Sequence, residues 1–144
     1  MSRAAVLAAL RADTALNIVL PPQNIVTNYS KEGRPSNLAP GSFVVLRWGA
    51  DNPDPAVSEN EPHGPRELVV WAHYPAEKST SYSHVDTVLR GVTRVLHAME
   101  EVEGDDGQTV TQIRFSGGSG DLYDEGFQTI MRNSSFRVLS RFTT

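Results

Sequence analysis

The sequence predicts an α+β fold, a mostly antiparallel or mixed β-sheet carrying two main helices and a long hairpin-like loop. Three observations lead there. Leu68-Val69-Val70-Trp71-Ala72 is short, β-branched and continuously apolar, as a largely buried strand is. Val85, Val88, Leu89, Val92, Val95, Leu96 and Met99 recur at steps of three and four, the spacing that lines one face of a helix. Gln108 to Gly117 and Thr129 to Phe142 both alternate with period two, and the second is expected to pair with the first.

In chain order, Ser2 suits the cap of a first helix running to about Ala12, with Val6, Leu7 and Leu10 as its apolar stripe. Its Ala/Leu run is broken by Arg11 and Asp13, which favours a folded helix over a secretory leader. Leu16, Ile18 and Leu20 then alternate with Asn17 and Val19, until Pro21-Pro22 ends regular structure. Ile25 to Tyr29 suggests a short edge strand, and Lys31 to Asn37 a polar, turn-forming loop. Phe43-Val44-Val45-Leu46-Arg47-Trp48 follows Pro40-Gly41 and reads as a strand.

From Gly49 to Pro65 the composition shifts to prolines and acids with few large apolar residues. A loop of that length inside a domain is usually functional or disordered, and here it joins two strong strands, as a hairpin arm or flap would. Beyond the second strand, Ser83 suits the N-cap of the striped helix, with Asp86 three residues on as an acidic capping-box partner. Asp86, Arg90, Arg94 and His97 fall mainly on its polar side. Gly104-Asp105-Asp106-Gly107 makes an acidic turn. In the next strand, strict alternation puts Val110, Gln112 and Arg114 on one face and Thr111, Ile113 and Phe115 on the other. Gly117 to Asp121 is a loop, and Ile130, Phe136, Val138 and Phe142 share one parity of the last strand.

A chain of 144 residues is long enough for a single domain that folds without disulfides or metal. With no cysteine, thiolate metal sites and cysteine nucleophiles are excluded. A net charge of −4 argues against a broadly nucleic-acid-binding surface. No apolar run approaches the ~18 residues of a membrane span.

Catalytic signatures fail one by one. Gly117-Gly118-Ser119-Gly120-Asp121 misses the final glycine of a nucleophile elbow, and Gly118 to Tyr123 misses that of a dinucleotide loop. His63, His73, His84 and His97 show no pair at the three- or four-residue spacing of a helical metal site. Asp121, Asp124 and Glu125 lack the register of a calcium loop, and turn chemistry explains them. Asp51, Asp54, Glu59 and Glu61 sit where no rigid element holds an acid and a base in fixed geometry. The expectation is a protein without enzymatic activity, cofactor or metal.

Several stretches, in their order, carry a likeness. They are the opening helix with Leu7-Ala8-Ala9-Leu10-Arg11-Ala12-Asp13, and Leu38-Ala39-Pro40-Gly41-Ser42-Phe43-Val44-Val45-Leu46. Leu68-Val69-Val70-Trp71-Ala72-His73 then leads into the Val85 to Met99 helix, and Asp121-Leu122-Tyr123-Asp124 precedes the strand ending Phe136-Arg137-Val138-Leu139-Ser140-Arg141. In this the chain resembles the tail terminator (tail completion) proteins of long-tailed siphophages, actinobacteriophage type.

The resemblance implies a hexameric ring that caps the tail tube, stops its polymerisation and forms the head–tail joint. It implies a virion protein of the tail or neck, assembled in the host bacterial cytoplasm. Its partners would be further copies of itself, the major tail tube protein, a head–tail connector or stopper and the tape measure protein. DNA would pass through the lumen without specific binding, and no membrane is involved. The alternatives are a head–tail stopper, a neck connector or another minor tail protein, and after those a small-ligand-binding or enzymatic α/β domain.

A closed ring needs two different patches on each subunit. The candidate assembly residues are Trp48, Asp51, Asp54, Glu59, Glu61, His63 and Arg66 around the long loop, and Asp121, Tyr123 and Asp124 near the end. Repeated around a channel, a net negative subunit would let DNA slide without adhering.

Overall fold

A computed structural model describes residues 3–27, 38–51 and 66–142, with only the backbone of 50 and 51. Helices α1 (Arg3–Ala12) and α2 (Thr14–Val19) lead through a 3₁₀ turn at Pro22–Asn24 into β1 (Ile25–Val26). Strands β2 (Phe43–Asp51) and β3 (Arg66–Pro75) precede α3 (Ser83–His97). The chain closes with β4 (Val102–Glu103), β5 (Gln108–Gly118), β6 (Leu122–Asp124) and β7 (Thr129–Phe142). The expected α+β architecture is the one observed. One sheet runs β1-β2-β3-β7-β5-β4, with β6 also paired to β7, and every pairing but β1 with β2 is antiparallel.

Strand β7 is the spine of this sheet. Its whole N-terminal part lies against β3, from Thr129 opposite Pro75 to Val138 opposite Arg66. On its other edge β6 and then β5 follow one another, so β5, β6 and β7 form one long interrupted hairpin. The Asp124 carboxylate accepts the Phe127 amide at 2.9 Å, and Gln128 adopts a positive φ of 54°, which together turn the chain into β7.

Side-chain alternation builds the core. Val44, Leu46, Leu68, Val70, Ala72, Phe136 and Val138 point from the sheet toward α3, which returns Val85, Val88, Leu89, Val92, Val95 and Leu96. Phe136 is fully buried, with Leu68 beside it on β3 and Phe115 on β5. Its ring meets Phe115 edge-on at 5.8 Å and His97 at 6.4 Å.

Three expectations are corrected. Leu16 to Leu20 forms helix rather than alternating extended chain. Asp13 accepts the Leu16 amide at 2.8 Å as N-cap, and Leu16 and Leu20, four apart, are both buried. The Arg94 guanidinium on α3 bonds Asp13 at 2.7 Å and holds its carboxyl below the usual carboxylate range.

Ser83 is the first residue of α3 rather than its cap; Tyr82 stands at that position and makes no side-chain cap bond. Asp86 is therefore free of capping and forms an ion pair with Arg132 of β7. In β5, bulges after Val110 and after Phe115 break the strict alternation. Thr111 is the extra residue at the first, which lets Val110 and Ile113 both reach the core.

Asn24 is a buried polar residue with its hydrogen bonds made. Its amide nitrogen donates to the carbonyls of Ala39 at 3.0 Å and Ser42 at 2.8 Å, and its oxygen accepts the Ala39 amide at 2.8 Å. That clamp seats the parallel β1 against β2. Of the expected Ile25 to Tyr29 strand only Ile25–Val26 is strand among the described residues.

Truncating Phe136 to Ala should cost about 3–5 kcal/mol, the range for a buried phenylalanine whose cavity cannot collapse. Urea unfolding with circular dichroism measures this directly; a loss under about 1 kcal/mol would place the core elsewhere.

Candidate assembly surfaces

The candidate residues fall at two ends of the sheet. At one end Trp48 is half-buried on the α3 side, with the Arg66 guanidinium 5.4 Å from its ring centroid. Arg66 Nε donates to the Gly49 carbonyl at 2.9 Å, and the backbones of Asp51 and Arg66 pair across the strands. Asp54, Glu59, Glu61 and His63 lie outside the described residues, so the loop between β2 and β3 is represented only by its two roots.

At the other end Tyr123 is 53% exposed, Asp121 lies 3.6 Å from Arg132 Nε, and Asp124 holds the turn already described. Arg66 pairs with Val138 and Asp124 with Thr129, so at about 3.3 Å per residue the two groups stand roughly 30 Å apart. They are two patches rather than one site.

Sequence reasoning missed a groove between α3 and the β5–β7 hairpin, with a volume of about 590 Å³. Asp86, Leu89, Arg90 and His97 line it from α3, and Phe115, Gly118 and Arg132 from the sheet. Several of its polar groups are engaged in holding the fold. Arg132 bonds Asp86 and donates from Nη2 to the Ser119 carbonyl at 3.1 Å, while Ser119 Oγ accepts the Asn133 amide at 2.9 Å. His97 Nε2 accepts the Phe115 amide at 3.1 Å, occupying a strand-edge donor that would otherwise stay open. Gly118 permits this closeness, since a Cβ there would sit 3.0 Å from the Asn133 carbonyl oxygen. No nucleophile and base stand unengaged together, and among the described residues no three His, Asp or Glu side chains converge on a metal-sized site.

No protein-family model and no curated protein matches this chain. A solved structure does. Its fold superposes on a chain from the virion of a native gene transfer agent particle, with a TM-score of 0.69 at 16% identity. The match covers 94% of this chain and 91% of that one, so the likeness extends over essentially the whole fold.

On this shared fold the exposed apolar residues are spread over separate faces. Ile18 on α2 is 84% exposed, Phe115 49% and Phe142 44%, while Leu122 and Leu139 are each 37% exposed. Ile18 and Val19 lie on α2, the helix that packs Leu16 against Gly91 of α3. No single-sequence signal marks these positions, because the same residue types fill the core.

Among the described residues, His73 is the buried titratable group. It stacks on Phe43 at 4.7 Å, meets Phe127 edge-on at 5.2 Å, and shares a 2.8 Å hydrogen bond between Nδ1 and Thr129 Oγ1. Its Nε2 is buried without a partner. Burial pushes the imidazole down to about 4 from an ordinary 6.5, opposed by the smaller effect of the Asp124 charge.

The fold therefore favours the neutral ring. This contribution is complete above pH 6.5, declines as pH falls toward 4, and changes no further below that. The whole window amounts to about 3 kcal/mol at about 1.4 kcal/mol per pH unit. Urea midpoints measured from pH 7 to 4 should fall accordingly, and His73→Phe should flatten that part of the profile.

Proposed function

We propose that this protein is a structural virion component, a tail terminator that caps the tail tube as a hexameric ring. The observation that carries this is the end-to-end fold match to a virion chain, covering 94% of one and 91% of the other. The order of helix, strand, striped helix and closing strands, which resembles tail terminators, supports the finer assignment. Two surface patches roughly 30 Å apart on one rigid sheet suit a heterologous ring contact, which needs different patches on each subunit.

In this role the ring stops tube polymerisation and offers its other face to the head–tail connector or stopper. The major tail tube protein and neighbouring copies are its direct partners, with the tape measure protein below. DNA passes through the lumen without specific binding. No step requires a catalytic residue or cofactor, and the protein works in the tail or neck of the virion after assembly in the bacterial cytoplasm.

Electron microscopy of the purified protein with isolated tail tubes tests this. Added density should sit at the head-proximal tube end only. Binding to the portal-side connector instead would make it a stopper, and binding to neither would overturn the virion reading.

A further inference from the structure

The groove between α3 and the β5–β7 hairpin keeps side chains that the fold leaves idle. Asp86, Arg90, Thr93 and His97 follow one another at steps of four, three and four, so they form a single wall along α3. With Ser83 at its start, this wall is about 21 Å long at 1.5 Å per residue. The opposite flank of the helix is covered, since Gly91 meets Leu16 of α2 and Arg94 bonds the Asp13 cap.

Asp86 and Arg132 pair with each other, which leaves Arg90 as the one permanent charge of the groove without a partner among the described residues. Leu89 and the half-exposed Phe115 supply apolar surface. The side-chain polar groups of Thr93, Asn133 and Ser134 make no hydrogen bond among the described residues. A cation, two apolar surfaces and three idle polar groups therefore share about 590 Å³, the mixture a ligand site needs.

Each component narrows the occupant. A guanidinium is matched by a carboxylate, which it meets through two parallel hydrogen bonds. Idle hydroxyl and amide groups on wall and floor suit an occupant with open backbone N–H and C=O groups. A docked helix satisfies its own and would leave them idle, whereas an extended chain would not. At about 3.3 Å per residue, six extended residues span the wall. Their side chains alternate, so apolar ones reach Leu89 and Phe115 while the acids between them face the rim, where Arg90 is exposed.

We infer that this groove binds an extended acidic segment of a partner protein, one in which carboxylate and apolar residues alternate. The inference goes beyond the tail terminator reading and does not depend on where in the virion the protein stands.

Fluorescence anisotropy with a labelled hexapeptide of alternating aspartate and leucine tests it. The peptide should bind saturably below about 1 mM. Arg90→Glu should weaken binding about tenfold or more with the thermal midpoint unchanged, because Arg90 is exposed and holds nothing in the fold. Asparagine in place of aspartate should weaken binding to the wild type but cost the Arg90→Gln protein little. Thr93→Trp, which fills the groove from its wall, should weaken both peptides. Amide chemical-shift changes should map to the Arg90 to His97 wall, Phe115 and Asn133. No saturable binding, equal binding by the Arg90→Glu protein, or shift changes confined to another face overturns the inference. Octanoate binding as tightly as the hexapeptide would make the groove a site for small amphiphilic acids and overturn it too.

Discussion

The structure depends on one strand being paired along both edges. β7 holds β3 on one side and β5 with β6 on the other, so within the sheet the strands before α3 join those after it through the backbone hydrogen bonds of β7. A central strand like this must present apolar groups to α3 while keeping its register against two neighbours. Ile130, Phe136 and Val138 meet the first demand and are buried. The two bulges in β5 and the break between β5 and β6 meet the second, by taking up extra residues so that β5 and β6 stay in register with β7. Arg132 fastens that break, tying α3 through Asp86 and the loop through the Ser119 carbonyl.

Much of this was legible from residue spacing. The α3 stripe, the Phe43 and Leu68 strands and the boundaries of β7 follow from periodicity because burial on one face imposes it. What periodicity cannot register is a residue that belongs to neither face. Thr111 and Ser116 at the bulges are of that kind, so a strict alternation set Val110 apart from Ile113 although both are core. Leu16 to Leu20 failed for a related reason, since five residues satisfy both a period of two and a spacing of four. The Asp13 cap and the space over Gly91, where Leu16 seats, decided for helix.

The surfaces were less legible than the core. Asp86 looked like a capping acid and is an ion-pair partner of the sheet, because a helix N-terminal carboxylate serves whichever donor comes closest, and Arg132 arrives from sequence far away. Asp121 and Asp124 were singled out together yet have separate duties, one beside Arg132 and one folding the turn into β7. Phe115 shares a parity with buried Ile113 but is half exposed, since α3 leaves it at the mouth of the groove. Such outcomes depend on contacts between distant segments, which no local pattern encodes.

Charge distribution shows which arginines serve the fold. Where an arginine of this chain serves the folded subunit, an acceptor stands beside it: Arg94 with Asp13, Arg132 with Asp86, Arg141 with Glu101, Arg11 with the Ile25 carbonyl. Arg114 stands directly across from Arg137, and like charges so placed cost some repulsion. Opposite charges on separate patches attract between copies while like patches repel, which favours head-to-tail contact over the two-fold pairing of identical faces. A ring of the proposed kind would need two different patches on each subunit, which a contact between identical faces does not.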